Sequence, residues 1–289
     1  MIETTAVAMR RSVARKHMFS WRMPWSLWLV VSLGLLAVIG PFSMPFGPYV
    51  QHTGPGQALQ PPSVVHPFGT DQLGRDILSR VVYGARVSLG VGIASVFIAA
   101  LAGTLFGMLA GFGLGWFDHV IMRVMDALST FPAMILTIAI TSVIGVGLIG
   151  VTIAIGIVNI PVFARLARAR VLQVKTREFV DAAYALGARR SRILIRHVLP
   201  NIAGPLIVQA SVIFSFAILV EASLSFLGLG VQPPTPSWGT MINEGKQFKA
   251  LAPWMIFAPG AAIFMSVMTF NFFGDAMRDN LDPASRGPI

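Results

Sequence analysis

Apolar residues in this chain come in blocks long enough to cross a lipid bilayer, and that constrains its fold more than any other feature. The blocks run roughly over 25–43, 87–115, 119–147, 149–172, 202–229 and 253–274. A hydrocarbon core of about 30 Å needs about 20 consecutive helical residues, and each block comes to about that length or more. The rest of the composition agrees. Only 12% of the residues are charged, against about 25% in a soluble domain, and 55% are hydrophobic. With a mean hydropathy of +0.72, water cannot be the solvent for most of this surface.

A net charge of +10 invites comparison with nucleic-acid-binding proteins. Here, however, the positive charge sits in short stretches beside apolar blocks, the pattern that orients membrane proteins, and a phosphate-binding groove is not indicated. Five basic residues (Arg10, Arg11, Arg15, Lys16 and Arg22) precede the first block, and nine lie between Arg165 and Arg196. The intervening loops hold fewer: Arg75, Arg80 and Arg86 in one, Lys246 and Lys249 in another. Six spans put the N-terminal tail, the 175–200 stretch and the C-terminus on one side, and the positive-inside rule makes that side the cytoplasm. The first block is too long for the core of a cleaved signal peptide and lacks a convincing cleavage site, so it reads as a retained span. The expected organisation is a cytoplasmic tail at 1–24, a first span at 25–43, an extracytoplasmic loop at 44–86, a membrane core at 87–277 containing a loop at 178–201, and a cytoplasmic tail at 278–289.

Gly103, Gly107, Gly111 and Gly115 recur every four residues in the second block. On a helix they form one face without side chains, which reads as tight packing inside the bundle ahead of a dimerisation face. Pro132 and Pro161 interrupt the next two blocks and predict kinks, since each removes a backbone donor.

The segment 178–201 reads as two short amphipathic helices with a break. Val180, Ala183, Tyr184 and Gly187 share a face of the first, with Asp181 near its start, where negative charge suits the helix dipole. Gly187 can end that helix in a positive-φ conformation. The second, about 189–199, sets Ile193, Leu194 and Val198 against arginines, and Pro200 marks the start of the fifth span. A loop that merely anchored to lipid head groups would not need small residues and an aspartate at fixed offsets; a close-fitting protein partner would.

Asp181-Ala182-Ala183, then Gly187, then Leu199-Pro200, resembles the EAA loop of permease subunits in ATP-binding-cassette importers. Asp181 stands where that family usually carries glutamate, and His197 where isoleucine is usual, a variant that resembles the peptide-transport branch. His66-Pro67-Phe68-Gly69-Thr70-Asp71 with Gly74-Arg75-Asp76 resembles the start of the second span in dipeptide and oligopeptide permeases of the "C" type. Ser225 to Gly230, Pro233-Pro234, Ser237-Trp238-Gly239, Asn271 to Asp275, Arg278-Asp279 and Leu281-Asp282-Pro283 are similar to the same group, in the same order. The resemblance implies an all-α integral membrane protein of the type I importer permease fold, with about six transmembrane helices and a cytoplasmic coupling loop. It also implies a bacterial inner-membrane location, a homologous second permease, two cytoplasmic ATPases that hold ATP and magnesium, and an extracytoplasmic solute-binding protein. Peptide, glutathione, nickel and opine importers share these motifs.

The chain itself has no P-loop; the nearest approach, Gly245-Lys246, is followed by Gln247. Its five histidines lack metal-site spacing and it has no cysteine, so neither a metal centre nor a cofactor is expected on it. Within the spans, Asp126 follows Arg123 by one turn and reads as half of a structural ion pair, whereas Glu221 has no sequence-local cation and could line a translocation path or meet a partner permease. Asp71 and Asp76 bracket Arg75 and suggest a local polar network outside the membrane. Trp238, Lys246 and Lys249 suit either a face for the binding protein or an interfacial anchor. An ion-coupled secondary transporter would need a relay of intramembrane carboxylates, for which Asp126 and Glu221 are thin support, and no catalytic constellation for an intramembrane enzyme stands out.

Overall fold

The computed structural model describes residues 25–281 apart from 52, 53, 55 and 114, so the tail expected at 1–24 and most of that at 278–289 lie outside the described residues. Among the described residues every extended element is a helix; one isolated β-bridge joins Thr70 to Asp76. The helices are α1 (Trp25–Ser43), α2 (Ile77–Phe112), α3 (Gly115–Thr130), α4 (Ala133–Ile144), α5 (Leu148–Lys175) and α6 (Glu178–Ala185). After these come α7, which runs from Arg190 to Phe226, then α8 (Trp238–Gly245) and α9 (Trp254–Leu281). Five are long and apolar enough to cross a membrane, and α3 with α4 makes a sixth crossing if the bent pair is one span.

The packing centres on α2 and α5, which lie side by side and parallel. A Cβ on Gly103 would sit 2.5 Å from that of Phe163 and 2.6 Å from the Ile160 carbonyl oxygen. One on Gly107 would press on the Ala164 carbonyl and sit 2.6 Å from the Ala167 Cβ; one on Gly111 would sit 2.9 Å from Val171 Cγ1. Only hydrogen fits along this seam, so the two backbones meet directly. The expected stripe therefore packs within the bundle, but it stops at Gly111: Gly115 opens α3 with nothing within 4 Å of its Cβ position.

The two prolines act differently. At Pro132 the chain turns by 96° between α3 and α4. At Pro161 the helix runs on unbroken, because α2 holds α5 on both sides of the proline, through Gly156 against Ile98 and through the glycine seam beyond. The second short helix expected in the 178–201 loop is not separate. Residues Arg190–Ile193 lead through a π-helical turn, Leu194–Val198, straight into Leu199–Phe226. Pro200 cannot donate to the Arg196 carbonyl and its ring would crowd that group, and the wider turn, in which the Leu199 N–H reaches Leu194 O, accommodates it.

Helix α2 starts ten residues before its apolar block, capped by Asp76, whose Oδ2 accepts the Ser79 N–H at 2.8 Å. At 36 residues it is about 54 Å long, so it projects well beyond a bilayer core. Its early charge, Arg80, is 1% exposed and is compensated by residues distant in sequence. Arg80 Nη2 and Arg75 Nη2 both donate to Glu244 Oε2 at 2.9 Å, while Arg75 Nε lies 2.5 Å from Asp71 Oδ2. Two cations and two carboxylates thus form a buried, neutral hub. The expected network of Asp71, Arg75 and Asp76 is present, with His66 Nδ1 2.9 Å from Asp76 Oδ1, but its centre is Glu244 on α8. Helix α8 is fixed by a capping box between Ser237 and Thr240. Trp238, expected at a surface or interface, is instead 2% exposed: its Nε1 donates to Val81 O at 3.0 Å, and Gly84 lets the ring approach α2. Lys246 and Lys249 stay exposed.

Two stability measurements on the purified protein in detergent follow from this packing. Gly107→Leu should cost about 3 kcal/mol or more, since the seam offers no space to repack, whereas Gly115→Leu should stay within about 0.5 kcal/mol; equal effects would mean the seam is not what holds α2 to α5. Glu244→Ala leaves two buried guanidinium groups sharing Asp71 alone and should cost about 3–5 kcal/mol, against about 0.5 kcal/mol or less for Lys249→Ala. An unchanged melting temperature for Glu244→Ala would show that the hub does not pin α8.

Candidate functional site

The segment expected to dock a partner sits at the C-terminal end of α2 and α5. Arg177 is extended, and Glu178 and Asp181 occupy the first turn of α6, where carboxylates favour the helix dipole. The helix ends in a Schellman turn: the Ala188 N–H reaches Ala183 O at 3.1 Å, the Gly187 N–H reaches Tyr184 O at 2.9 Å, and Gly187 takes φ +75°. Nothing lies within 4 Å of a Cβ position on Gly187, so within this chain glycine is required there for its backbone angle and not for space.

The two sides of this loop differ sharply. Val180 and Ala183 turn inward and join Phe112, Val171, Val174, Ile193 and Val198 in one core. Tyr184 and Gly187, expected on the same face, do not follow them. Tyr184 lies over Phe112 with centroids 6.3 Å apart and remains partly exposed, and Gly187 falls beyond the helix end. Asp181, Ala182, Ala185 and Gly187 are exposed, and Leu186 is 88% exposed. Leu199 packs against the shared core, while Pro200 is exposed at the start of the long segment of α7. Of the six residues singled out in the sequence, Ala183 and Leu199 therefore serve the inner side, and Asp181, Ala182, Gly187 and Pro200 remain on the surface. Leu186 was not anticipated; apolar residues give no exposure signal in a single sequence.

The charges expected within the spans fall in two places. Asp126 on α3 does not depend on Arg123 as expected: its Oδ1 lies 3.7 Å from Arg165 Nη1 on α5, and that guanidinium also donates to Ser129 Oγ at 3.0 Å. A second pair, Asp118 with Arg168, is bidentate at 2.5 and 2.6 Å. These pairs join helices through residues tens of positions apart, a separation that sequence-local reasoning does not reach. Glu221, near the end of α7, is fully buried inside the chain, and the Ser225 hydroxyl donates to its Oε1 at 2.8 Å. Among the described residues, no group of three or more His, Asp or Glu is placed to hold a metal ion.

Residues 103–287 match the family described as binding-protein-dependent transport system inner membrane component. A dipeptide transport system permease protein, DppC, from Alkalihalophilus pseudofirmus is 45% identical over 88% of this chain and 83% of its own length. A glutathione transport system permease protein, GsiD, from Pectobacterium atrosepticum is 45% identical over 77% of this chain and 74% of its own. An inward-facing structure of the MetNI methionine ABC transporter shares the fold, with a TM-score of 0.58 at 19% identity over 71% of this chain and 98% of that one. The chain belongs to the binding-protein-dependent transport system inner membrane component family, the permease subunits of ATP-binding-cassette importers.

Proposed function

We propose that this permease carries di- or oligopeptides, with glutathione as the nearest alternative, and that the 178–201 loop is where ATP-driven motion enters it. The cargo rests on the relatives' transport of dipeptides and glutathione. The coupling role rests on one observation: α6 is fixed to the bundle by Val180 and Ala183 while Asp181, Ala182, Leu186 and Gly187 remain uncovered. An exposed edge of small residues around one large apolar side chain, on a rigid base, suits a groove on a second protein.

In this reading the loop, the N-terminal tail and the C-terminus lie in the cytoplasm of a bacterial inner-membrane assembly. The hub and α8 lie on the opposite side, towards a solute-binding protein. A homologous permease completes the path, and two ATPase subunits hold ATP and magnesium and press on the loop as they close. This chain binds, orients and yields passage; bond cleavage belongs to the ATPases.

Two variants test the coupling role in membrane vesicles containing the whole complex, with uptake of labelled dialanine or glutathione as the readout. Gly187→Val strains a left-handed backbone position, and Leu186→Asp alters only an exposed side chain. Each should leave membrane insertion intact and lower ATP-driven uptake about tenfold or more, the factor that about 1.4 kcal/mol of lost docking produces. Normal uptake by both would rule out docking at this edge. Uptake that persists without the ATPases and collapses with an uncoupler would favour ion-coupled transport instead.

A further inference from the structure

Helix α3 presents three distinct faces. Asp118, Met122, Met125 and Ser129 turn towards α5, where Asp118 grips Arg168 and Ser129 accepts from Arg165. Trp116, Val120 and Val124 form an exposed apolar face suited to lipid. Between these two faces run His119, Arg123, Asp126 and Thr130, at spacings of four, three and four, all exposed. Such spacing confines them to one narrow stripe.

This stripe runs beside the apolar C-terminal part of α2. The glycine seam sets Ala164 to Arg168 of α5 level with Gly103 and Gly107 of α2, and α2 stays apolar from there through Phe112. Arg165 and Asp126 lie level with this apolar stretch, and their side chains are 45% and 62% exposed. Charges carried on spanning helices face a water-filled cavity or a partner in preference to lipid. The two ion pairs also differ in kind. Asp118 and Arg168 are closed on each other by two short bonds, whereas Asp126 and Arg165 are 3.7 Å apart and open to exchange. An open cleft of about 480 Å³, lined by Asp118, His119, Met122, Arg123, Asp126 and Arg168, lies against the stripe.

We propose that His119, Arg123, Asp126 and Thr130, with Arg165, line the aqueous path and contact a small zwitterionic cargo, Arg123 and Arg165 facing its carboxylate and Asp126 its ammonium group. This rests on the importer reading and names the part of the chain that meets the cargo. A peptide carries both charges at its ends, and the open Asp126–Arg165 pair offers both counter-charges without leaving either one unpaired once the cargo moves on.

The chain has no cysteine, so a single cysteine, read on this subunit after the labelled complex is separated, reports on its chosen position. His119→Cys, Arg123→Cys, Asp126→Cys and Thr130→Cys, with Val120→Cys and Val124→Cys on the apolar face, are made in the full complex in vesicles open on the loop side. The probe is a membrane-impermeant cationic methanethiosulfonate. Because only the thiolate reacts and thiolates form in water, the stripe should label about tenfold faster than positions 120 and 124. Saturating dialanine or glutathione should slow labelling at 123 and 126. A stripe as unreactive as the apolar face would mean that lipid or a partner helix covers it, and would overturn the proposal. Labelling that neither peptide slows would overturn the cargo contact. ATP-dependent release of preloaded labelled cargo by the wild-type complex, measured in the same vesicles, separates these results from a failure of the importer reading itself.

Discussion

Close approach of two backbones along Gly103, Gly107 and Gly111 is the contact on which the other features depend. In lipid, burying apolar surface gives helices little reason to associate, because the tails are as apolar as the side chains; close packing must do it. The seam brings α5 against α2 in parallel register, and that register sets the positions of Arg165 and Arg168 opposite α3. It also keeps α5 continuous through Pro161 and delivers Val171 and Val174 to the core that receives α6. Without it, neither the charged stripe nor the loop would have a fixed base.

At the other end of α2 the binding chemistry is reversed. There the chain holds α8 with charge, in a hub whose guanidinium groups are nearly inaccessible and whose carboxylates come from Asp71 and from Glu244 on α8. A buried cluster of this kind adds little net stability over apolar packing of the same shape, but it tolerates no missing member and so fixes one arrangement of loop, helix start and α8. The bundle is thus closed by shape at one end and by charge at the other.

Much of this was legible in the sequence, and the gaps have physical reasons. Long apolar blocks located the spans because lipid admits few alternatives to a helix. Gly187 was readable as a helix terminator because its backbone angle is a local property. The start of α2 at Ile77 was hidden because Arg80 and Arg86 look like loop residues until Glu244 is seen beside Arg80, across 164 positions of sequence. Trp238 looked like an interfacial residue because its partner is a backbone carbonyl, Val81 O, which leaves no mark on composition. Asp126 was paired with the nearest cation in sequence, whereas the nearest in space lies on another helix. Pro132 located the bend in the third span, but a 96° turn depends on what α4 packs against, which no local signal carries.

The continuity of α7 has a mechanical consequence. A 37-residue helix joins the loop to the far end of the bundle, and its one wide turn, at Leu194–Val198, is anchored through Leu194 and Val198 to the core that also clamps α6. With that turn braced, no flexible link separates α6 from the start of the rod. Displacing α6 therefore displaces this end of α7 with it, because Val180 and Ala183 share one core with Ile193 and Val198.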